Sequence, residues 1–198
     1  MKFVGGQSCL DFVNTVGAWL PTGVIERDKL ATYADLLTWG QLAGLLTLTE
    51  VRGLARHATR HPENAEAALA RAARLREALY GIFQSILHRR HPSPAGLDIL
   101  NAELSVAKSH ERLARSAGAY ILIWADQASH LDRPLWPVAR NAAFVLTSPD
   151  LSRLKQCAAE KCGWLFLDIS RNHGRQWCDM KDCGNRAKVR RFRQRHSL

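Results

Sequence analysis

The chain has 198 residues, 46% of them hydrophobic, and a formal net charge of +10. This is enough for one ordinary domain plus a small appended module, and it excludes a disordered tail protein. The charge is uneven: residues 151–198 hold 12 Lys or Arg against 4 Asp or Glu, while residues 1–150 are nearly balanced, so an acidic polymer is the expected partner.

The opening segment, residues 1–25, mixes Gly, Asp, Asn and Pro with apolar residues and reads as an ordered loop. Polar residues interrupt every apolar run in it, so it is no secretory leader. Residues 26–46 carry Leu30, Tyr33, Ala34, Leu37 and Leu45 at helical spacing. A second helix is expected over 50–60 with Thr49 as its N-cap. Pro62 opens a long Ala-rich helix running to about residue 90, with a stripe that includes Leu69, Leu75, Leu79, Ile82 and Phe83. The sequence HPSP at 91–94 breaks it, and residues 95–109 resume as helix.

Residues 111–124 contain a β-like run around a Gly turn and read as a short hairpin. Their apolar stretch, 119–125, is the longest in the chain and far too short to span a bilayer. A cytoplasmic protein with no membrane association is the expectation. Residues 134–147 form another helix, and Ser148-Pro-Asp starts one more that delivers the chain to Cys157. The fold expected is a mainly α N-terminal domain with a small β element, residues 1–150. A zinc-bound β-hairpin plus basic helix follows over 151–198.

Four of the five cysteines fall in one cluster, Cys157-x4-Cys162-x15-Cys178-x4-Cys183. Two short-loop thiol pairs are the arrangement that closes a tetrahedral zinc site, and clustered cysteines in a cytoplasmic chain mean metal more often than disulfides. Four thiolates leave no open position for water, so one structural Zn2+ is expected. The intervening residues suit a hairpin, with 164–167 outbound, a turn at 172–174 and 176–177 returning. Cys9 stands apart and reads as a buried, inert thiol.

After Cys183, six of the ten residues from 186 to 195 are basic: Arg186, Lys188, Arg190, Arg191, Arg193 and Arg195. On a helix Val189, Phe192 and His196 share one stripe, expected to pack on the zinc hairpin against Trp164 or Trp177. No acidic residue follows Asp182, so the helix repels itself until a polyanion arrives. Arg186, at the helix start, is the expected base reader, with the later arginines on phosphates. In the alternative, Arg186 braces the last cysteine knuckle while Arg171 or Arg175 does the reading.

The segments WLFLD at 164–168, SRN at 170–172, RQWC at 175–178 and CGNRAK at 183–188 resemble the CGNR zinc finger. Upstream, LDFVNT at 10–15, LREALY at 75–80 and residues 142–150 resemble the ABATE family, a name tied to stress-induced transcription regulation. The resemblance implies a bacterial transcription regulator with Cys157, Cys162, Cys178 and Cys183 as ligands. It also implies Asn185 and Arg186 as contacts to double-stranded DNA, and an N-terminal domain that senses a small-molecule effector or forms a homodimer.

Asp11, Asn14 and Thr15 lie in an otherwise apolar segment, and such polar groups must find partners, either backbone groups or a ligand. Trp19, Trp124 and Arg140 are further candidates to line a cleft for an anionic or aromatic effector. Nucleophile–base pairs, phosphate-binding glycine loops and paired carboxylates are lacking, so enzymatic activity is not expected. DNA-binding regulation leads; an RNA-binding or ribosome-associated zinc module is the alternative.

Overall fold

The computed structural model describes residues 1–20, 25–125 and 129–196. The chain divides into two compact units that do not follow its order. Met1–Lys29 groups with Val145–Leu198, and Leu30–Phe144 forms the other unit. The division expected at residue 150 follows the chain; the contacts regroup it.

The Leu30–Phe144 unit is built on a 26-residue helix. Helix α2 (Tyr33–Leu42) starts at Thr32, whose hydroxyl accepts from the Asp35 backbone while the Asp35 carboxylate accepts from the Thr32 N–H. Helix α3 (Leu48–Arg60) opens with the same reciprocal box between Thr47 and Glu50. The cap is therefore Thr47 rather than Thr49, because Glu50 three residues on completes its hydrogen bonds. The helix expected from residue 26 begins only at Tyr33.

Helix α4 (Pro62–Leu87) has Pro at its first turn, where the missing N–H costs nothing. It buries Leu75, Leu79, Ile82 and Phe83. Helices α2, α3 and α5 (Pro94–Ser109) pack on it. Arg71 on α4 makes a bidentate pair with Glu103 of α5 at 2.9 and 2.8 Å. Strands β3 (Glu111–Ser116) and β4 (Ala119–Trp124) form the expected hairpin. Its two-residue turn holds Ala117 at φ 48° and Gly118 at φ 84°, the left-handed pair that matches strand twist. Helix α6 (Leu135–Thr147) closes this part of the chain.

The other unit contains helix α1 (Ser8–Val13), a hairpin of β1 (Val16–Trp19) with β2 (Ile25–Asp28), and the cysteine-rich C-terminal segment. Residues 1–25 are thus not a plain loop. The helix is only six residues long, with five of them buried and no side-chain cap, so it carries neither amphipathic period nor start signal.

A short 3-10 turn (Pro149–Arg153) capped by Ser148 leads into β5 (Leu154–Gln156). That strand pairs antiparallel with β6 (Leu165–Leu167), in the register Leu154↔Leu167 and Gln156↔Leu165. The hairpin of the finger is therefore made with the strand before Cys157, not with residues 176–177 as expected. Its far edge is occupied by the N-terminus, since the Leu167 N–H donates to the Gly5 carbonyl at 2.9 Å. After a π-type turn (Met180–Gly184), α7 (Asn185–His196) ends the chain's described part.

Candidate metal centre and nucleic-acid surface

The four cysteines arrive from three local devices. Cys157 follows β5, and Cys162 sits before Gly163, whose φ of 70° turns the chain back into β6. Cys178 and Cys183 bracket the turn whose cap is Asp179, accepting from the Lys181 N–H. All four are buried, and their sulfurs lie within 4.8 Å of one another. Cys162 and Cys178 sulfurs are 3.7 Å apart, and those of Cys178 and Cys183 are 3.6 Å apart. A tetrahedral zinc with Zn–S of about 2.3 Å needs sulfurs about 3.8 Å apart. The donor set therefore fits one closed, structural zinc.

The surroundings favour thiolate. The Cys178 N–H donates to Cys157 Sγ at 3.3 Å, and Arg186 Nη2 donates to Cys183 Sγ at 3.2 Å. Without a cation, four thiols this close share protons. Cys157 is held well below an ordinary thiol by accepting from Cys162 and Cys178, and Cys162 is pushed up because Cys157 takes its hydrogen bond. A divalent cation relieves that crowding.

The N-terminal segment is built into this centre. Asn14 accepts from the Leu165 N–H at 3.0 Å and donates to the Leu165 carbonyl at 2.8 Å. Trp164 Nε1 donates to the Val16 carbonyl at 3.1 Å, and the Trp19 N–H donates to the Cys162 carbonyl at 2.9 Å. The Lys29 ammonium lies 4.4 Å from the centre of the Trp164 ring. Asp11 accepts from the Gly5 N–H at 2.8 Å, and the Val4 backbone also hydrogen-bonds to it. Both Asp11 and Asn14, offered as effector contacts, are thus engaged by backbone. They hold residues 4–5 and the finger strand in place, so their place is structural. Thr15 likewise donates to the Phe12 carbonyl. Cys9 is fully buried, and burial pushes its thiol up.

A second network, which the sequence reading passed over, lies under the turn between β6 and Cys178. The Asp168 carboxylate is fully buried. It accepts from Lys155 Nζ at 2.6 Å, from the Ser170 N–H at 3.0 Å and from the Arg175 N–H at 2.9 Å. Burial works against its charge, but these donors outweigh it and hold the carboxyl well below the usual range. The signal was the Asp that ends the WLFLD segment, one residue outside an apolar run.

Arg175, expected at the nucleic-acid surface, is turned inward. Its Nε donates to the Trp177 carbonyl at 3.0 Å, and Nη2 donates to the Val4 carbonyl at 2.9 Å and to the Cys178 carbonyl. Its guanidinium stands 4.1 Å from the Phe166 ring centre. A fork bound to three carbonyls ties the N-terminus, β6 and the third cysteine together and has little left for a phosphate or base.

Helix α7 buries none of its residues. Val189 and Phe192 are 50% and 62% exposed, so the apolar stripe does not pack on the zinc hairpin. Trp164 is covered instead by residues 16 and 29, and Phe192 stacks on His196 with ring centres 4.1 Å apart. Arg186 lies between two roles. Its Nε pairs with Asp182 at 3.2 Å and Nη2 with the Cys183 sulfur, yet two-thirds of its side chain is exposed. Asn185 Nδ2 donates to the Lys181 carbonyl at 3.1 Å, and Arg190 pairs with Glu160. Lys188, Arg191, Arg193, Arg195 and Arg171 are exposed. Between the first knuckle and α7 runs a cleft of about 360 Å³ lined by Glu160, Lys161, Arg186, Arg190, Arg191 and Gln194 among others.

Trp124 and Arg140, two of the other effector candidates, do lie together. The Arg140 guanidinium is 4.9 Å from the Trp124 ring and pairs with Glu111 at 2.5 Å. A cleft of about 250 Å³ in this unit is lined by other residues, including His57, Arg71, His130 and Asp132.

No described helix is long and apolar enough to cross a membrane. No curated protein sequence matches the chain. Two family models do match it. The model for the CGNR zinc finger covers residues 153–196, including all four cysteines. The model for ABATE, described as "putative stress-induced transcription regulator", covers residues 6–149, more than half of the chain. The chain therefore belongs to the ABATE family and carries a CGNR zinc finger over residues 153–196.

Proposed function

We propose that this protein is a cytoplasmic transcription regulator that binds double-stranded DNA through α7, with the zinc as scaffold rather than reagent. The observation that carries the reading is a helix seeded at the last cysteine that buries none of its residues, six of them cationic. Such a helix matches a major groove in size, and its cations match the phosphates on either side. Arg186 is assigned base contact through the exposed part of its fork, with its Cys183 and Asp182 contacts fixing its direction. Lys188, Arg191, Arg193 and Arg195 are assigned to phosphates. Arg190 reaches a phosphate on leaving Glu160, and Asn185 and Arg171 stand at the margins of the same surface.

The Leu30–Phe144 unit is assigned the regulatory part, sensing a small molecule or self-associating. Trp124 and Arg140 are the residues that remain for an anionic or aromatic effector. A binding role of this kind needs no catalytic group.

The test is selection from random duplexes with the zinc-loaded protein, followed by competition between the selected duplex and RNA of equal length. A recovered consensus with duplex preference supports the reading. Preference for RNA replaces it with the second reading, an RNA-binding zinc module, which the exposed Phe192–His196 stack would serve.

A further inference from the structure

Helix α3 carries three arginines on one ridge. Arg52, Arg56 and Arg60 are spaced four residues apart and all are exposed, so their side chains stand one above another on a single face. From the first to the last the ridge runs about 12 Å at 1.5 Å per residue. Thr49, Ala55 and Thr59 flank it and are also exposed. One large apolar residue, Leu48, stands exposed at its start.

The carboxylates of the Leu30–Phe144 unit are committed elsewhere. Glu103 and Asp132 hold Arg71, Glu111 holds Arg140, and Glu50, the one acid on α3, holds the buried Arg133 at 2.7 Å. Among the described residues Arg52, Arg56 and Arg60 make no ion pair. A single exposed arginine needs no partner beyond water. Three in one register are a different case, because like charges four apart on a helix repel. Arg60 is favoured by the negative end of the helix in the last turn, but Arg52 and Arg56 stand too far from it. Only an external anion turns that repulsion into attraction.

We infer that the α3 ridge is a second nucleic-acid contact, with Arg52, Arg56 and Arg60 on neighbouring backbone phosphates of double-stranded DNA. The inference rests on the reading that the chain binds duplex DNA, and it adds the Leu30–Phe144 unit to the binding surface. One strand of a duplex offers a phosphate about every 3.4 Å along its axis, so three cations over about 12 Å can each meet one. A guanidinium fork matches two oxygens of a phosphate. A lipid surface would need a broad apolar face, which Leu48 alone does not supply. Phosphate contacts of this kind hold the chain on DNA of any sequence and leave the choice of sequence to other residues.

The experiment is titration of the full zinc-loaded chain on two duplexes, one recovered by selection and one scrambled, at several salt concentrations. Wild type is compared with Arg52→Gln/Arg56→Gln/Arg60→Gln, with the same three positions changed to Lys, and with Arg191→Gln/Arg195→Gln on α7. Glutamine keeps helix propensity close to that of arginine, and removal of like charges relieves α3, so melting temperature and zinc content should not fall. The glutamine ridge variant should lower the salt slope by about one unit per arginine, about three in all, equally on both duplexes. The lysine variant should restore most of it, because a phosphate needs the charge more than the fork. A drop below about one unit, or a larger drop that lysine does not restore, overturns the inference and leaves the ridge to an acidic protein. If the ridge variant loses slope and the α7 variant does not, the ridge stands and the assignment of α7 falls; the converse removes the ridge alone. A wild type that binds neither duplex overturns both.

Discussion

Asn14 and Leu165, 151 residues apart in the chain, exchange two hydrogen bonds: the side-chain amide of one completes the backbone N–H and C=O of the other. Asn14 thereby acts as one rung of a strand beside β6. Leu165 is fully buried and Asn14 nearly so, so water cannot take over either bond. The first residues of the chain are in this sense part of the finger.

Replacement of Asn14 by Ala should leave both Leu165 groups without partners. Each orphaned group costs about 1–3 kcal/mol. The expected result is a lower melting temperature and faster zinc loss to a chelator, with the same DNA consensus. A variant that kept its zinc normally but lost a response to a small molecule would return Asn14 to the effector site.

Gly163 offers a test of the same junction through shape. An added Cβ would lie 2.4 Å from the Trp19 carbonyl oxygen, and φ is +70°. Gly44 has the same φ with nothing within 4 Å of its Cβ. Gly44→Ala should therefore cost only the left-handed strain, about 1–2 kcal/mol. Gly163→Ala should cost clearly more, because backbone must move. Denaturant unfolding of the two variants checks the difference; equal costs would mean that Trp19 does not press on the knuckle.

Metal removal should reach beyond the finger. The protein is expected to carry one zinc per chain, and Cys183→Ser or chelation should release residues 157–196. Because residues 5, 14, 16 and 19 hydrogen-bond to that segment, amide exchange in residues 8–19 should rise at the same time. Exchange mass spectrometry of zinc-loaded and chelated protein decides this. Zinc should also be lost on acidification, since protons compete for the thiolates.

The cations should separate into three groups. Arg175→Ala should lower stability and zinc retention without changing base preference, since its donors hold three carbonyls. Lys188→Ala, Arg191→Ala and Arg195→Ala should each weaken all sequences alike and lower the salt slope by about one unit. Arg186→Ala should cost about 1–3 kcal/mol at one base position. Titrations on matched and mismatched duplexes at several salt concentrations read all three effects, and an unchanged preference in Arg186→Ala would make that residue purely a brace for Cys183.

Asp168 sets a pH dependence whose sign is fixed. Its carboxyl is held below the usual range in the folded chain, so its charge stabilises the fold above the ordinary Asp value. That contribution is lost as pH falls through the lowered one. The difference in melting temperature between wild type and Asp168→Asn should stay constant through neutral pH and narrow only below about pH 4. A difference that disappeared nearer neutrality would assign it to another group.

What the sequence determined by itself was whatever depends on short spacing. The two x4 cysteine pairs, Pro62 opening α4, the Gly118 turn of the β hairpin and the run of cations after Cys183 all act between neighbours, and the structure carries each of them. Tertiary contact decided the rest. Residues 154–156 outcompeted 176–177 as the partner of β6 because they form a ladder before the first cysteine, leaving the later segment to wrap Asp168. The six-residue α1 carried no period because it is buried nearly all round. Arg175 and Arg186 look alike in a list of cations. Only the placement of Val4, Trp177 and Cys178 carbonyls turns one fork inward, and only the open ground around α7 leaves the other largely in water.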